Sequence, residues 1–418
     1  MLYENWRQVA RSCSHELAVD DLAAGRRWTF GELAAAAEKG ETDPSPLAFP
    51  QGPGVEFIIS LLRAWRSNQT VCPLEMGHSA PRIETLLPRG IALLKITSGT
   101  TGTPRLVAFT GDQLKADIEN IVATMGLRRD WPNLGVVSMA HSYGFSNLVL
   151  ALLLHGIPLV LVGAALPEAV RRAAATQPAV TLAAVPALWR MWHEANAIPP
   201  NVRLAISAGA ALPLALEQDV FAKHGLKIHN FYGSSECGGI AYDGSGTPRA
   251  DASCVGAAMR HVELAIGEGG CLDVRSRAVA EGYWPKSGPE LGSGVFHSCD
   301  LVEISDGLAY LRGRASDQIN VAGRKISPEA IEDELAAHPC VSGCVVFGIP
   351  SADGERGERI VACLAVKAAV SDETLKHFLM EKLPAWQVPR EWWFVDGFGA
   401  DDRGKLSRAE WRRRYLAS

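Results

Sequence analysis

A run of small and hydroxyl-bearing residues follows an apolar stretch near residue 97. The stretch ALLKIT ends at Thr97, and the residues that follow are Ser98, Gly99, Thr100, Thr101, Gly102, Thr103, Pro104 and Arg105. Glycines let the backbone approach a phosphate closely, while hydroxyl and N–H groups donate hydrogen bonds to its oxygens. A surface turn is the plainer interpretation. The segment is not a Walker loop, because the GK[ST] ending is absent.

Two other residues have side chains suited to phosphate chemistry. Glu236, in HNFYGSSECGG, carries a carboxylate, a hard oxygen ligand for a magnesium ion that bridges phosphates. Lys405, in DDRGKLSR, carries an ammonium on a flexible stem, a charge that suits a phosphate oxygen. Alone, each would be an ordinary loop acid or a terminal lysine, so their meaning depends on the surrounding motifs.

Those motifs occur in the order found in the adenylate-forming superfamily, which comprises acyl-CoA synthetases, peptide-synthetase adenylation domains and luciferases. The segment ITSGTTGTPR closely resembles the family's phosphate-binding loop, which usually ends in Pro-Lys, whereas this chain has Pro104-Arg105. Arginine keeps the charge but changes the geometry. The resemblance runs from about Trp28 to Arg408. It implies that the β- and γ-phosphates of ATP are bound by Thr97, Ser98, Gly99, Thr100, Thr101, Gly102 and Arg105.

The segment HNFYGSSECGG resembles the family's Asn-x-Tyr-Gly-x-Thr-Glu motif. The resemblance implies that Asn230 meets the adenine edge, that Tyr232 stacks on the adenine ring, and that Glu236 holds Mg²⁺. Gly233 belongs to the same nucleotide-binding segment. Ser235 stands where the family usually has threonine.

Further nucleotide and thiol contacts, and a hinge, are implied later in the chain. In GVFHSCDLVEI, Asp300 would accept hydrogen bonds from both ribose hydroxyls, although the two preceding residues depart from the family pattern. In LRGRASDQINVAGRK, Arg314 would contact the ribose or a phosphate, and Ser316 takes the hinge position where relatives mostly carry Asp or Lys. Gly323 would line the path of a pantetheine arm, and Lys325 would neutralise a phosphate.

The resemblance implies two half-reactions in which Lys405, Glu236 and Arg314 are catalytic. First, a carboxylate attacks the α-phosphorus of ATP·Mg²⁺, pyrophosphate leaves, and Lys405 stabilises the developing charge. Second, the C-terminal domain turns about Ser316, and a thiol of coenzyme A or of a carrier-protein phosphopantetheine takes the acyl group. Two alternatives stay open: an enzyme that releases acyl-AMP without a thioester step, and a nucleotide-binding pseudoenzyme. Retention of Glu236, Asp300 and Lys405 argues against the pseudoenzyme.

The acid pocket is predicted from SMAHSYGFSNLVL and ISAGAALP. Amino-acid-activating relatives place an aspartate where this chain has His141, and a buried ammonium without a counter-charge is costly. An α-amino acid is therefore not the expected substrate, and both aryl and medium aliphatic acids fit. A structural role is the alternative for His141. The other predicted pocket residues are Tyr143, Gly144, Asn147, Gly209, Ala210 and Gly238.

Composition limits the class of protein. The chain has 418 residues, 47% hydrophobic and 21% charged, which predicts two or more globular domains. The net charge of -5 does not favour a nucleic-acid partner. Nine scattered cysteines without a CxxC pair, and an N-terminus without a signal core, predict a cytoplasmic protein. The uncharged stretch 134–167 is broken by Gly156 and Pro158, so it predicts a buried helix and strand rather than a membrane span.

Alternating helix-like and strand-like segments predict an α/β fold. VEFIISLLRAW, DQLKADIENIVATMG and EAVRRAAATQP read as helices; ALLKIT, GVVSMA, PLVLVG, VTLAAVP and RLAISA read as buried strands of largely parallel sheets. A helix beginning after Ser327 opens a smaller α+β region. We therefore predict a large N-terminal domain of layered sheets and helices over 1–313, a hinge at 314–317, and a small mobile C-terminal α+β domain over 318–418 that carries Lys405.

Overall fold

The computed structural model describes residues 2–39, 45–81, 83, 87–97, 105–321, 324–351, 357–398 and 408–418. Two compact units are present. The first comprises Met1–Ala265 and Asp273–His297, and the second comprises Ile266–Leu272 and Ser298–Ser418. The packing boundary therefore falls before the predicted hinge at 314–317. A hinge is defined by motion rather than by packing, so that hinge stays a prediction.

The helices of the first unit are α1 (Leu2–Ser12), α2 (Phe30–Glu38), α3 (Val55–Arg66), α4 (Gly111–Met125), α5 (Ser142–Gly144), α6 (Ala151–His155), α7 (Pro167–Ala175), α8 (Pro186–Glu194) and α9 (Leu214–His224). A π-helix, Phe145–Leu150, joins α5 to α6. The second unit contains α10 (Pro328–Ala336), α11 (Asp372–Met380) and α12 (Arg408–Ala417). Short 3₁₀ turns lie at Glu268–Gly270 and Ala315–Asp317.

The first strands along the chain are β1 (Leu17–Asp21), β2 (Arg26–Thr29), β3 (Leu47–Ala48), β4 (Thr70–Val71), β5 (Ile91–Thr97), β6 (Arg105–Thr110), β7 (Asn133–Gly135), β8 (Leu159–Leu161), β9 (Val180–Ala184), β10 (Val202–Ser207), β11 (Ile228–Ser234) and β12 (Gly238–Tyr242). The later strands are β13 (Cys254–Ala258), β14 (Val262–Ile266), β15 (Cys271–Ser276), β16 (Gly282–Trp284), β17 (Leu291–Gly292), β18 (Val295–Ser305), β19 (Leu308–Arg314), β20 (Ile319–Val321), β21 (Arg324–Ile326), β22 (Val341–Pro350), β23 (Glu358–Val366) and β24 (Glu391–Val395).

Two sheets carry the sequence motifs of the first unit. One runs in the order β13-β12-β11-β10-β9-β7-β8-β1-β2, and the other in the order β16-β6-β5-β4-β3. Strands β11, β10, β9, β7, β8 and β1 pair in parallel, whereas β12, β13 and the pairs β5–β6 and β6–β16 are antiparallel. The α/β class is confirmed, but the expectation of largely parallel sheets holds only for the central run.

The second unit is built on the antiparallel hairpins β18–β19 and β20–β21 and on the sheet β22-β23-β24. Helices α10 and α11 cover an apolar core that includes Ile331, Leu335, Leu375 and Leu379. Each of these side chains is excluded from water, and burying one such residue contributes about 1.5–3 kcal/mol. The small α+β unit predicted from the sequence is thus present.

Local sequence signals explain most of the helix limits. Thr110 and Gln113 form a capping box at the start of α4, and Gly126 ends that helix in the left-handed region at φ 70°. Ser327 is the N-cap residue of α10 and Pro328 is its first helical residue, which confirms the predicted start of this helix. Ser327 makes no side-chain capping bond, however, because its Oγ donates instead to Oε2 of Glu329 at 2.7 Å.

One strand prediction was wrong. GVVSMA was expected to be a strand, yet only Gly135 of that segment lies in one, at the end of β7. The chain turns away directly after Gly135, where the Val136 amide donates to the Leu134 carbonyl at 3.1 Å, and the Ser138 hydroxyl then accepts from the Ala140 amide at 3.2 Å. The predicted helix and strand around Gly156 are both present, and Gly156 ends α6 with φ 68°.

Two further expectations concern redox state and membranes. All nine cysteines fall in the described ranges, and all are free. Within those same ranges, no helix combines the length and the apolar character needed to cross a bilayer.

Candidate active site

Glu236 lies in the turn between β11 and β12, where a phenol orients its carboxylate. Tyr283, on β16, donates its hydroxyl hydrogen to Oε1 of Glu236 over 3.1 Å. Burial raises the pKa of Tyr283, and the Glu236 carboxylate raises it further, so the phenol stays protonated and acts as a donor. Among the residues that the structure describes, none bonds to the other carboxylate oxygen of Glu236, which can therefore accept another ligand.

Arg105, the first residue of β6, stacks on the ring of the same tyrosine. Its guanidinium carbon lies 3.4 Å from the centroid of the Tyr283 ring, and Nη2 pairs with Oε1 of Glu290 at 2.7 Å. The hydrogen bond from Arg105 also lowers the pKa of Glu290. In the structure Arg105 therefore supports the residue that orients Glu236, and its predicted contact with ATP phosphates stays a prediction.

The phosphate loop itself lies largely outside the described residues. Ser98, Gly99, Thr100, Thr101 and Gly102 all fall within the gap at 98–104. The strands on either side of the gap are in place, since β5 ends at Thr97 and β6 begins at Arg105. Thr97 and Arg105 are direct partners across the two strands, and Thr97 Oγ1 donates to the Arg105 carbonyl at 3.2 Å.

The buried Asp117, which the sequence analysis did not single out, stabilises the turn that contains Glu236. Asp117, on α4, is 1% exposed; its Oδ1 accepts from the Gly239 amide at 3.1 Å, and its Oδ2 accepts from Ser146 Oγ at 2.6 Å. Gly238 has φ +70°, and a Cβ there would lie 2.0 Å from Oδ1 of Asp117. Only glycine fits at this position, so Gly238 serves the packing of the turn.

Lys95 is a second buried charge that the sequence analysis did not single out. It is 4% exposed, and among the described residues its Nζ has no hydrogen-bond partner. The ammonium lies 4.5 Å from the centroid of the Phe109 ring. Burial lowers its pKa, and Asp117, then Cys237 and Glu236, oppose that shift. A charged residue inside the apolar strand ALLKIT was the signal that could have revealed it.

The residues predicted to meet the adenine share β11. Asn230 is buried, and its Nδ2 donates to the Cys254 carbonyl at 3.2 Å, which fixes the plane of the amide. Arg249 donates to the same carbonyl at 2.7 Å. Tyr232 follows two positions later on the same strand, and Gly233 leaves no room for a side chain, since a Cβ would lie 2.6 Å from the Gly238 carbonyl oxygen. Strand β11 and the Glu236 turn thus form one tightly packed unit.

A buried ion cluster lies behind Asn230. Glu217 pairs with Arg249 at 2.8 Å, and Lys227 contacts both Glu217 and Asp243. The two acids, Glu217 and Asp243, pair with the two bases, Lys227 and Arg249, which is how charges are kept in a protein interior. Because Arg249 belongs to this cluster and also donates to the Cys254 carbonyl, the cluster fixes the position of that carbonyl.

The two predicted ribose contacts come together in the second unit. Asp300 on β18 and Arg314 on β19 are paired across the hairpin, and Arg314 Nε lies 2.9 Å from Asp300 Oδ1. Ser316 follows in the 3₁₀ turn Ala315–Asp317, where its hydroxyl donates to Oδ1 of Asp317 at 3.1 Å. Lys325 is exposed on β21. Gly323 and Lys405 lie outside the described residues, so their predicted roles stay predictions.

The predicted acid pocket includes an unusual helix. The π-helix Phe145–Leu150 carries Asn147, whose Nδ2 donates to the Tyr143 carbonyl at 3.2 Å. π-Helical segments widen a helix by one residue and are frequent at functional sites. Gly144 allows close contact, because a Cβ there would lie 2.0 Å from the Ser138 carbonyl oxygen. This geometry was not foreseen from the sequence, since the apolar run alone predicts an ordinary helix.

His141 is the N-cap residue of α5, the short helix that leads into the π-helix, and its imidazole has a structural partner. Its Nδ1 accepts from the Tyr143 amide at 3.4 Å in the N-cap position. Ser142 Oγ and Ser235 Oγ lie 3.0 Å apart, which joins the acid-pocket segment to the nucleotide segment. Gly209 and Ala210 are exposed just after β10, and Gly209 has φ +87°. The structure thus links His141, Ser142 and Ser235, while contact with an acid stays a prediction for the whole group.

A single carboxylate suits the metal implied by the resemblance. No group of three or more His, Cys, Asp or Glu side chains able to hold a metal is found in the described part of the chain. Mg²⁺ usually keeps several waters and binds through one or two carboxylates together with substrate phosphates. Glu236, with one oxygen held by Tyr283, fits that pattern, whereas a fully protein-bound metal would not.

Sequence comparisons identify the family. Residues 50–284 match the family model described as AMP-binding enzyme, and residues 330–405 match the AMP-binding enzyme C-terminal domain. The chain belongs to the AMP-binding enzyme family. The first match covers the phosphate loop, the acid-pocket segment and the Glu236 turn, and the second ends at Lys405. The predicted family is confirmed.

Individual relatives agree with this assignment. The chain is 28% identical to the feruloyl-CoA synthase of an Amycolatopsis species over 347 residues, which cover 78% of this chain and 70% of that protein. It is also 28% identical to a probable 2-succinylbenzoate–CoA ligase of Mycobacterium tuberculosis, over 80% of this chain and 88% of that protein. The ATP-bound MatB of Rhodopseudomonas palustris has the same fold, with a TM-score of 0.88 and 20% identity over 99% of each chain.

Proposed function

We propose that this enzyme uses ATP to activate a carboxylic acid as acyl-AMP and then transfers the acyl group to coenzyme A. The predicted class, an AMP-forming acid–thiol ligase, agrees with the family match and with the CoA-ligase names of the curated relatives. The observation that carries the proposal in this chain is the hydrogen bond from Tyr283 to Glu236, because it presents one carboxylate oxygen beside the strands that flank the phosphate loop.

In the first half-reaction, this chain binds and orients the reactants rather than forming a covalent bond to them. Mg²⁺ would supply charge neutralisation between the phosphates, held by the free oxygen of Glu236. Tyr283 keeps that carboxylate oriented, and Arg105 keeps Tyr283 in place. Lys405 would stabilise the charge that develops as the acid oxygen attacks the α-phosphorus and pyrophosphate leaves.

In the second half-reaction, the thiol replaces AMP on the acyl carbon. We propose that the C-terminal domain turns about Ser316, which removes Lys405 and brings Gly323 and Lys325 towards the thiol path. Coenzyme A is the acceptor we favour, since the curated relatives are named as CoA ligases. A carrier-protein phosphopantetheine is the alternative acceptor.

The acid we favour is an aryl carboxylic acid without an α-ammonium group. Both relatives are named for acids that contain an aromatic ring. The half-buried His141 stands where an aspartate would bind the α-ammonium group of an amino acid, and an imidazole is not a carboxylate counter-charge. Its Nδ1 already accepts a hydrogen bond from the Tyr143 amide. Tyr143, in α5, and Asn147, in the π-helix that follows, are joined by the hydrogen bond from the Asn147 amide to the Tyr143 carbonyl. Together they would offer the acid an aromatic ring and an amide group.

Pyrophosphate release over a panel of acids tests this proposal. Aryl acids, medium aliphatic acids and the twenty proteinogenic amino acids are offered with ATP and Mg²⁺, first alone and then with CoA or a carrier protein. We expect turnover with aryl acids, none with the amino acids, and thioester formation with CoA. Robust turnover of any amino acid would overturn the assigned acid class, and no turnover with any acid would overturn the ligase.

A further inference from the structure

Arg408 is the first residue of α12, and all of its donor groups are engaged. Its Nε donates to the Val346 carbonyl at 2.8 Å, and Nη2 lies 2.8 Å and 3.0 Å from the two carboxylate oxygens of Glu332. Its Nη1 lies 2.6 Å from Oδ2 of Asp317 and 3.0 Å from Oε1 of Glu329. A guanidinium with donors fixed in one plane can hold several acids at once in this manner.

These contacts link three segments of the second unit. Asp317 ends the 3₁₀ turn that contains Ser316, Glu329 and Glu332 lie on α10, and Val346 lies on β22. The acids are themselves held, because Glu332 Oε1 accepts from the Val346 amide at 2.6 Å and Glu329 accepts from Ser327 Oγ. The Arg408 side chain is 20% exposed, so its ion pairs are less screened by water than surface pairs.

The position of this cluster along the chain gives it a consequence for catalysis. Each acid that Arg408 contacts comes after Ser316, so a rotation about Ser316 would carry the whole cluster as one body. Lys405 precedes Arg408 by three residues, which limits their Cα–Cα distance to about 10 Å. Arg408, three residues after Lys405 in the sequence, is therefore bound to the residue directly after the predicted hinge.

We propose that Arg408 is a positioning residue for Lys405, fixing the end of the lysine segment to Asp317 so that rotation of the domain delivers and withdraws the ammonium. This inference rests on the proposed function, since it concerns the acyl-AMP step. A displacement of about 1 Å can cost up to 10²-fold in rate, so a loosened anchor should be measurable.

Helix α12 is also held by apolar contacts, which makes the inference testable. Trp411 is 7% exposed and packs edge-on against Phe398 and Trp393, at ring distances of 4.9 Å and 5.6 Å. Tyr415 packs on Phe347 one turn later. Loss of the Arg408 ion pairs should therefore loosen the first residues of α12, while the apolar contacts keep the rest of the helix packed against its sheet.

The test compares Asp317→Asn, Arg408→Met and Arg408→Lys with the parent in both half-reactions. Asp317→Asn is nearly isosteric and removes the charge that pairs with Arg408, so it guards against a folding failure of Arg408→Met. We expect Arg408→Met to lower kcat for acyl-AMP formation by roughly tenfold to 10²-fold with little change in the KM for ATP. Asp317→Asn should have a smaller effect in the same direction, and Arg408→Lys should recover part of the rate.

Thioester formation from chemically prepared acyl-AMP and CoA should stay within about twofold of the parent, because Lys405 has left the site in that step. The matched control is Arg412→Met, one turn along α12, which removes an exposed 3.5 Å pair with Glu358 and should leave both steps unchanged. Equal loss in both half-reactions, or no loss in either, would overturn the proposal.

Hydrogen exchange separates failure of this inference from failure of the ligase assignment. If the parent forms no acyl-AMP from any acid, the proposed function is wrong, but the link between Arg408 and the hinge turn can still be measured. We expect Arg408→Met, and not Arg412→Met, to speed amide exchange in peptides covering 315–318. Unchanged exchange there would show that Arg408 does not hold the turn.

Discussion

Tyr283 donates its hydroxyl hydrogen to Oε1 of Glu236 over 3.1 Å, which joins the last strand of one sheet to the turn that follows a strand of the other. Both residues lie in sequence segments of recognisable type, but nothing in either segment predicts the bond. The bond leaves Glu236 with one oriented oxygen, and the first two predictions concern that arrangement.

Tyr283→Phe should weaken the use of Mg²⁺ without unfolding the enzyme. A hydrogen bond to a charged group is worth about 1.5–3 kcal/mol, so we expect a loss of roughly tenfold or more in acyl-AMP formation at limiting Mg²⁺. The phenyl ring still stacks under Arg105, which should preserve the melting temperature. The rate is measured by pyrophosphate release across a magnesium titration. An unaltered magnesium dependence would mean that the phenol does not orient the metal ligand.

Glu236→Gln should have a larger effect than Tyr283→Phe, because it removes the charge itself. We expect a loss on the order of 10² in acyl-AMP formation with the fold intact, since the change is nearly isosteric. The measurement is pyrophosphate release at saturating ATP, with circular dichroism as the folding control. Normal turnover of this variant at limiting Mg²⁺ would exclude Glu236 as a ligand.

Lys95 and Asp117 should be energetically coupled even though they form no direct hydrogen bond. Lys95→Met leaves Asp117 without its nearby positive charge, and Asp117→Asn leaves the buried ammonium beside fewer negative charges. A coupling of about 0.5–3 kcal/mol is typical of residues in one network.

A double-mutant cycle by denaturant unfolding measures this coupling. The double variant Lys95→Met/Asp117→Asn should be more stable than the sum of the single effects predicts. Lys223→Met, which alters an exposed lysine on α9, is the control and should leave the free energy of unfolding unchanged. Additive single effects would show that Lys95 is held by other groups.

Ser316→Pro should affect the two half-reactions unequally. Proline fixes φ near -65° and restricts the preceding Ala315, so one orientation of the C-terminal domain would be trapped. We expect thioester formation to fall more than acyl-AMP formation, measured separately with ATP plus acid and with prepared acyl-AMP plus CoA. The same loss in both steps would argue against a hinge at this residue.

Lys405→Ala should abolish most acyl-AMP synthesis while sparing the thiol step. Removal of one preorganised donor at a transition state typically costs on the order of 10²–10³ in rate. Thioester formation from prepared acyl-AMP should stay near the parental rate. If both steps fall, a melting curve separates a second role of Lys405 from damage to the domain. If neither falls, the match of Gly404-Lys405 to the family motif is wrong.

The sequence alone predicted the family, the α/β class and the order of most helices and strands. Helix α4 followed from the helix-like segment DQLKADIENIVATMG, and strands β9 and β10 followed from short apolar runs. These features depend on neighbouring residues, so a local pattern is sufficient to reveal them. The motif residues Asn230, Glu236 and Asp300 were recognisable for a different reason, because a resemblance to a family is carried by residue types in a fixed order.

The tertiary structure alone decided which distant residues share a contact. Asp117 lies 122 positions from Gly239 along the chain, yet its carboxylate accepts the Gly239 amide hydrogen. Arg105 was predicted to face phosphates, and in the fold it stacks on Tyr283 and pairs with Glu290, 185 positions away. Arg408 reaches Asp317 across 91 positions. Such contacts depend on how strands and helices pack, and the position of a charged residue in the sequence does not reveal which residue it will contact. The sequence therefore determined which chemistry was available, and packing determined which side chains orient, neutralise or anchor one another.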